Sequence, residues 1–494
     1  MSDIAMLAIL VIPVVMAAVL VIFKKRLRHL AGWCAAGAAL STVAATFVLL
    51  VCLNRGQDPI LAINWIPAEN ITLGLHCDWI TFPFLLTETI VTLLAIVYAW
   101  GYHHADERTP VFYALLLLFG VGMSGTTLAD DMVLFYTFWE LMLIASAVLI
   151  LVWGDTSADG PSPRVVVLKY FLVTHLGSLL VLVALLTIYN TVGTDSFSAL
   201  RQGLQLPAEI IPVVTCFFLV GFGVKMAVFP LHIWLPDAHT VAPMPVTIML
   251  AAAMLSMGTY GILRFPFSLF TRDQLMGFAL PMMIVGVISE IYGALMALAE
   301  RDIKRVIAYS SVSQMGYILF GLGTLTHNGV AGATLHVIYH GIVKALLFMV
   351  TGIIVHSTGR RKLDDLGGLR HRLPVTTVCA AIGLLAIAGT PPLCIFDSEW
   401  MIFSGGFGTG YLALAAVAIV GSLLTVAYAL WFFGRLFFGE VPDGLETQAY
   451  PRAHHLALLV PTVFLTVLTV VEGLLPAPVF GWVEREVALL LGGL

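Results

Sequence analysis

Apolar runs of about 20 residues recur from residue 4 to residue 475, each long enough to cross the roughly 30 Å hydrocarbon core of a bilayer as a helix. Fourteen are readable, at about 4–23, 30–53, 79–101, 110–129, 131–153, 165–190, 208–235, 241–266, 275–299, 305–325, 329–356, 374–403, 409–437 and 454–476. Over 494 positions, 60% hydrophobic residues, 11% charged residues and a mean hydropathy of +0.99 exclude a soluble protein of this length. The expected fold class is an all-α polytopic membrane protein. The first run has no basic stretch ahead of it and is followed by KKRLRH, the reverse of a cleavable signal peptide, so it counts as helix 1.

Charge placement sets the expected sidedness. If the connection after helix 1 is cytoplasmic, the loops on that side hold seventeen Lys and Arg and the opposite side five: Arg55, Arg201, Arg264, Arg272 and Arg485. That asymmetry fits the positive-inside rule and places both termini on the outer, periplasmic side of the cell inner membrane. The two remaining cations, Lys225 and Lys344, fall at membrane depth. No basic patch is left over for nucleic acid. The six cysteines are scattered without CxxC, metal-ligand or haem-attachment spacing, and no phosphate-binding loop is present, so neither a metal nor a cofactor is expected.

Four ionisable residues inside spans carry the functional reading: Glu140 in VLFYTFWELMLIASAVLILV, Lys225 in TCFFLVGFGVKMAVFPLHIW, Lys344 in HVIYHGIVKALLFMVTGII and Glu399 in GTPPLCIFDSEWMIF. A charge at bilayer depth costs about 2.5 to 3.5 kcal/mol on insertion scales, so it faces a bundle interior or a water-filled cavity and marks an ion route. A satisfied structural pair is the plainer alternative. Charges of both signs with histidines between them favour a proton relay.

Two spans contain proline where a continuous helix excludes it. In helix 7, Pro230 and Pro236 bracket PLHIWLP; in helix 12, Gly389-Thr390-Pro391-Pro392 interrupts the run before Glu399. Irregular backbone at this depth is tolerated where protein or a water cavity covers it, and matching breaks in two halves point to an inverted repeat. The expected organisation is an N-terminal three-helix segment (1–109), a first repeat of helices 4 to 8 (110–266), a second of helices 9 to 13 (275–437), and a C-terminal helix and tail (438–494). Five is odd, so the two repeats insert with opposite orientation, and helix 7 corresponds to helix 12.

Glu140 lies nine residues after Asp131, hence about 13 Å into the membrane, and the same rise puts Lys225 about 16 Å from the far end of helix 7. The depths agree, so the two are expected to pair across helices 5 and 7. His336, His340 and Lys344 are spaced four apart in helix 11 and share one face. Histidine titrates near neutrality and can accept and pass a proton. His232 and His239 flank the helix 7 break and His175 lies in helix 6, where satisfying freed backbone groups is the competing role.

These segments resemble a known family. VKMAVFPLHIWLPDAHTVAPMPVTIMLA, LAERDIKRVIAYSSVSQMGYI, FYTFWELM and HGIVKALLF are similar to the antiporter-like subunits of respiratory complex I, shared with Mrp cation/proton antiporters and energy-converting membrane-bound hydrogenases, over about residues 75–440. The resemblance implies a fourteen-helix inverted-repeat fold with broken helices 7 and 12. It assigns proton transfer to Glu140, Lys225, His340, Lys344 and, as terminal exchange residue, Glu399, with His336, His232, Ser256 and His239 in support. Glutamate in helix 12 resembles subunit M; Lys344 in helix 11 is closer to subunit L, Mrp and hydrogenase members. The chain also ends soon after helix 14, unlike subunit L with its long lateral helix. Ser256 stands where the family usually has lysine, and since serine holds no charge, either the link there runs through ordered water or the subunit couples poorly. Gln314, where some relatives have histidine, points the same way.

The resemblance implies a proton-translocating subunit of a complex I-like NADH:quinone oxidoreductase or membrane-bound hydrogenase, driven by redox chemistry in partner membrane subunits that include further antiporter-like ones. The alternatives are an Mrp-type cation/proton antiporter, with sodium as a candidate ion, and a scaffold whose proton path has decayed at Ser256.

Overall fold

Backbone in hydrocarbon must satisfy its own hydrogen bonds, so the apolar runs fold as helices. The computed structural model describes residues 1–66, 71–102, 106–156, 160–201, 206–445 and 452–491. Parts of the expected C-terminal region, 446–451 and 492–494, thus lie outside the described residues. The main helices are α1 Ser2–Ile22, α2 Ala31–Asn54, α3 Thr81–Tyr102, α4 Thr109–Leu128, α5 Met132–Trp153, α6 Pro163–Val192, α7a Ile210–Met226 and α7b Leu235–Val241. After these come α8 Met244–Phe267, α9 Arg272–Ala299, α10 Ile303–Gly323, α11 His327–Thr358, α12a Pro374–Ile387, α12b Cys394–Phe407, α13 Leu412–Phe437, α14 Arg452–Leu474 and α15 Ala477–Leu490.

Twelve of these are long and apolar enough to cross a membrane as one helix, not fourteen. The seventh and twelfth expected spans instead come in two pieces each, broken at the expected prolines. Helix α7a stops at Met226 because Ala227 takes a left-handed φ of 57°. Residues 227–234 are non-helical, and Pro236 then occupies the first turn of α7b, where no donor is needed. The groups freed by the break find partners. Trp234 Nε1 donates to the Val224 carbonyl at 2.9 Å, and Phe229 N–H donates to Ser289 Oγ at 2.9 Å. In the twelfth span, Gly389 supplies a left-handed φ of 64° between α12a and α12b.

The molecule is mostly helical rather than wholly so. Strands β1 Ile60–Ile66 and β2 Ile71–His76 form an antiparallel hairpin between α2 and α3. It rests on the start of α5, where Asp131 accepts from Gly74 N–H at 2.7 Å and also caps the helix by accepting from Leu134 N–H at 2.7 Å.

Burial sorts the helices. The most apolar stretches of α8, α10 and α11 are wholly buried, against a third of the corresponding stretch in α1 and α13, so those three form the centre of the bundle. Small residues let the central backbones touch. A Cβ on Gly316 of α10 would lie 2.4 Å from the Glu290 nitrogen of α9, so only glycine fits that crossing. Helix α8 widens into π-helical turns at Leu250–Met254 and Leu263–Phe267.

Ion pairs tie the two ends. At one, Lys169 and Arg305 hold Asp237 at 2.9 and 2.8 Å, Lys304 reaches Asp155 at 3.3 Å, and Arg361 holds Asp302 at 2.9 Å. Asp155, Asp302 and Arg361 belong to the connections α5–α6, α9–α10 and α11–α12, and Lys169, Asp237, Lys304 and Arg305 to the adjoining helices α6, α7b and α10. At the other end Asp78, ahead of α3, receives Arg264 at 2.7 Å and Arg201 at 3.0 Å. Arg264, counted with the charges of the outer side, is buried in the last turns of α8. The ring of Tyr260, one turn earlier, lies 5.9 Å away.

Candidate functional site

The first polar centre forms where α5, α6 and the end of α7a meet. Glu140 and Lys225 do not pair: no carboxylate among the described residues comes within ion-pair distance of Lys225. Glu140 Oε2 instead meets His175 Nδ1 of α6 at 3.2 Å, and its other oxygen is buried without a partner. The Lys225 ammonium lies over the Trp139 ring, 5.1 Å from its centre, and Trp139 is fixed by donating from Nε1 to Ser178 Oγ at 2.9 Å. The depth estimate for Lys225 fails because 227–234 is not helical, so the 1.5 Å rise does not run through it. Lys225 occupies the last turn of α7a, next to the break.

His232 lies inside the break rather than at its edge, stacked on Phe229 at 5.8 Å and 4.9 Å from the Tyr292 ring of α9. His239 belongs to α7b and is fully buried, with both ring nitrogens unpartnered and its ring 5.6 Å from Phe348 of α11. The proposed backbone-satisfying role for these rings is filled instead by Trp234 and Ser289.

Helix α11 carries the expected stripe, with His336, His340 and Lys344 all wholly buried. Lys344 Nζ donates to Ser310 Oγ and to the Ile307 carbonyl of α10, the latter at 3.2 Å. Both His340 nitrogens lack partners, and His239 and Lys344 are among the groups in electrostatic reach of its ring. His336 is held from two sides: Nε2 by Gln314 Oε1 of α10 at 2.9 Å and Nδ1 by Ser398 Oγ of α12b at 3.0 Å. It joins α10 to α12b directly. Ser256, in α8, spends its hydroxyl on the Ala253 carbonyl one turn back.

Glu399 follows Ser398. Its carboxylate folds into the break of its own span: a Cβ on Gly389 would lie 2.1 Å from Glu399 Oε2. Glu399 is buried and Oε1 has no partner. Lys225 precedes its break, whereas Glu399 follows its own.

The charge reading of the sequence omits Glu290 of α9 and Glu88 of α3, although each lies in an apolar run by the criterion that selects Glu140. One oxygen of Glu88 accepts from Thr127 Oγ1 at 3.1 Å, and the other is buried without a partner. Glu290 is wholly buried and both oxygens lack partners. Around it stand Tyr317, whose hydroxyl meets Thr425 Oγ1 at 3.1 Å, and Gly421 of α13, where a Cβ would lie 2.4 Å from Oε1.

Taken together, one centre spans α5 to α7a, and a longer buried polar axis runs through α7b, α10, α11 and α12b. Chemically it can hold and pass protons; no group of three or more metal-ligating side chains occurs among the described residues. Residues 129–425 match the transmembrane family described as NADH:quinone oxidoreductase/Mrp antiporter, and residues 65–113 match the N-terminal family of NADH-ubiquinone oxidoreductase (complex I) chain 5. The chain is 35% identical over 415 residues to NAD(P)H-quinone oxidoreductase chain 4 1 of Synechococcus sp. strain JA-3-3Ab, covering 80% of this chain and 76% of that one. It is 32% identical over 502 residues to NADH-quinone oxidoreductase subunit M of Rhodobacter capsulatus, covering 97% and 95%. A chain of the Mrp complex from Dietzia sp. DQ12-45-1b shares the fold at a TM-score of 0.87 and 24% identity, covering 99% and 98%.

Proposed function

We propose, given that the chain belongs to the NADH:quinone oxidoreductase/Mrp antiporter transmembrane family, that it is a proton-translocating subunit of a complex I-like NADH:quinone oxidoreductase or a membrane-bound hydrogenase. It is a multi-pass membrane protein that works beside other membrane subunits. Redox chemistry in those partners supplies the free energy, and this chain moves the proton. The observation that carries the reading is the buried axis His239, His340, Lys344, His336 and Glu399, three of whose members lie on the wholly buried stretch of α11, where charged and imidazole groups mark an ion route. Glu140, Lys225 and His232 act in the first half; Ser256 contributes through water.

The organisation goes with this role. Helices 4 to 8 (110–266) and 9 to 13 (275–437) form two oppositely inserted repeats, each with one broken span. The termini face the periplasm, a sidedness supported by the basic clusters that gather the odd-to-even connections at one end. The test is proton uptake in vesicles holding the intact complex. Glu140→Gln or Lys225→Ala lowers it about tenfold or more while assembly persists; normal uptake in both variants rejects the reading.

A further inference from the structure

Glu290 has no place in the route described so far. It is nevertheless among the most deeply buried carboxyl groups in the molecule, on α9, with neither oxygen hydrogen-bonded at this geometry. A buried anion without donors or a counter-ion is unfavourable, so such a group is stable as the neutral acid or beside a mobile proton. Nothing structural explains its retention, because the α9–α10 crossing depends on Gly293 and Gly316, not on the carboxyl.

Its neighbours supply the explanation. The Tyr317 hydroxyl of α10 meets Thr425, one turn of α13 from Gly421, where a Cβ would lie 2.4 Å from Glu290 Oε1, and Glu399 lies in electrostatic range of both Tyr317 and Glu290. The Tyr317 ring stacks on His336 with centres 5.6 Å apart, and His336 holds Ser398, the residue before Glu399. Two further polar atoms in this region, Tyr428 Oη and Gln314 Nε2, are buried without partners. Tyr317 therefore links the surroundings of Glu290, through Thr425, to those of Glu399, through His336 and Ser398, and Glu399 is the expected terminal exchange residue. On the far side of Glu290, Gly421 adjoins the carboxyl and also lines an apolar cleft of about 470 Å³ between α9 and α13, with Ile291, Val417 and Leu424.

We propose that Glu290 is a second proton-holding site, exchanging one proton with Glu399 through the Tyr317 hydroxyl. The step balances: Glu399 gives its proton to the Tyr317 oxygen, Tyr317 gives its own to Glu290, and the negative charge moves from one carboxylate to the other with no change in net charge. The inference rests on the proton-translocation reading and places the last proton of the second half on α9 rather than on α12b.

The test uses the intact complex in vesicles, reading redox-driven proton uptake together with the carboxyl stretching band in infrared difference spectra. Glu290→Gln and Tyr317→Phe are expected to lower uptake about tenfold, and Glu290→Asp to keep most of it. A carboxyl band should vanish in Glu290→Gln and shift in Glu290→Asp, which a purely structural glutamate would not produce. Wild-type uptake in Glu290→Gln alongside loss in Glu399→Gln overturns the inference and leaves the proton reading standing; wild-type uptake in both overturns the two together. Should Glu290→Gln fail to assemble, Glu290→Asp decides: a shifted band supports the site, and an unshifted one overturns it.

Discussion

Lys225 is held without being neutralised. Its ammonium rests on the Trp139 ring while Glu140 is engaged by His175. A cation over an indole gains roughly 0.5 to 2 kcal/mol, enough to position it and far less than a desolvated ion pair that would lock it. Arg264 shows the opposite choice: buried and 2.7 Å from Asp78, it is fixed. Burial by itself pushes the Asp78 carboxyl up, but Arg264 beside it, with His76 and Arg201, holds it well below the usual carboxylate range. A depressed carboxylate stabilises the fold above its unfolded value of 3.8, and that contribution is lost as pH falls below it. Arg264→Met should therefore destabilise the detergent-solubilised protein by about 3 kcal/mol near neutrality, the low end for a broken buried pair because Arg201 remains, and flatten the acid-side loss in thermal unfolding. The sequence reading counted Arg264 with the outer-side charges and named no partner for it, because a charge tally counts positions, not partners.

At the scale of elements, the breaks do the positioning. Gly389 takes a left-handed φ of 64° and leaves room that the Glu399 carboxylate fills. Gly389→Ala should cost about 1 to 2 kcal/mol in thermal unfolding from the backbone strain alone. It should also lower proton uptake, because the new methyl displaces Glu399; unchanged uptake would mean that the carboxylate's place in the break is irrelevant. Both breaks were legible, since proline inside an apolar run admits few readings. So was the α11 stripe, since a spacing of four fixes one face. The partners of that stripe were not. Gln314, Ser398, Ser310 and Tyr317 come from α10 and α12b, and no periodicity within one helix reveals what a neighbouring helix presents. The same limit explains the missed Glu140–His175 contact and the expected Glu140–Lys225 pair, where equal depth was taken for contact. The hairpin over 60–76 was missed because it lies between spans and hydropathy marks only the spans.

In the whole molecule, polar groups concentrate where packing is deepest, in α8, α10 and α11, while the outer helices are almost wholly apolar toward lipid. A bundle that needed only stability would reverse this distribution, since buried polar groups cost free energy unless fully paired. Several here are not. Histidines with free ring nitrogens, His239 and His340, suit proton transfer. Proton uptake by the intact complex should therefore persist in sodium-free medium within about a factor of two, read with a pH-sensitive dye inside vesicles. A strict sodium requirement would favour the Mrp-type reading.

Lys344 sits at the middle of the axis, wholly buried and bound to Ser310 and the Ile307 carbonyl. Lys344→Met keeps the unbranched stem of the side chain and removes the charge and the proton. With this variant in the assembled complex, the ratio of protons moved to electrons passed should fall while the partner subunits still carry out electron transfer and the complex still purifies intact; a ratio equal to that of the unaltered complex would contradict the account.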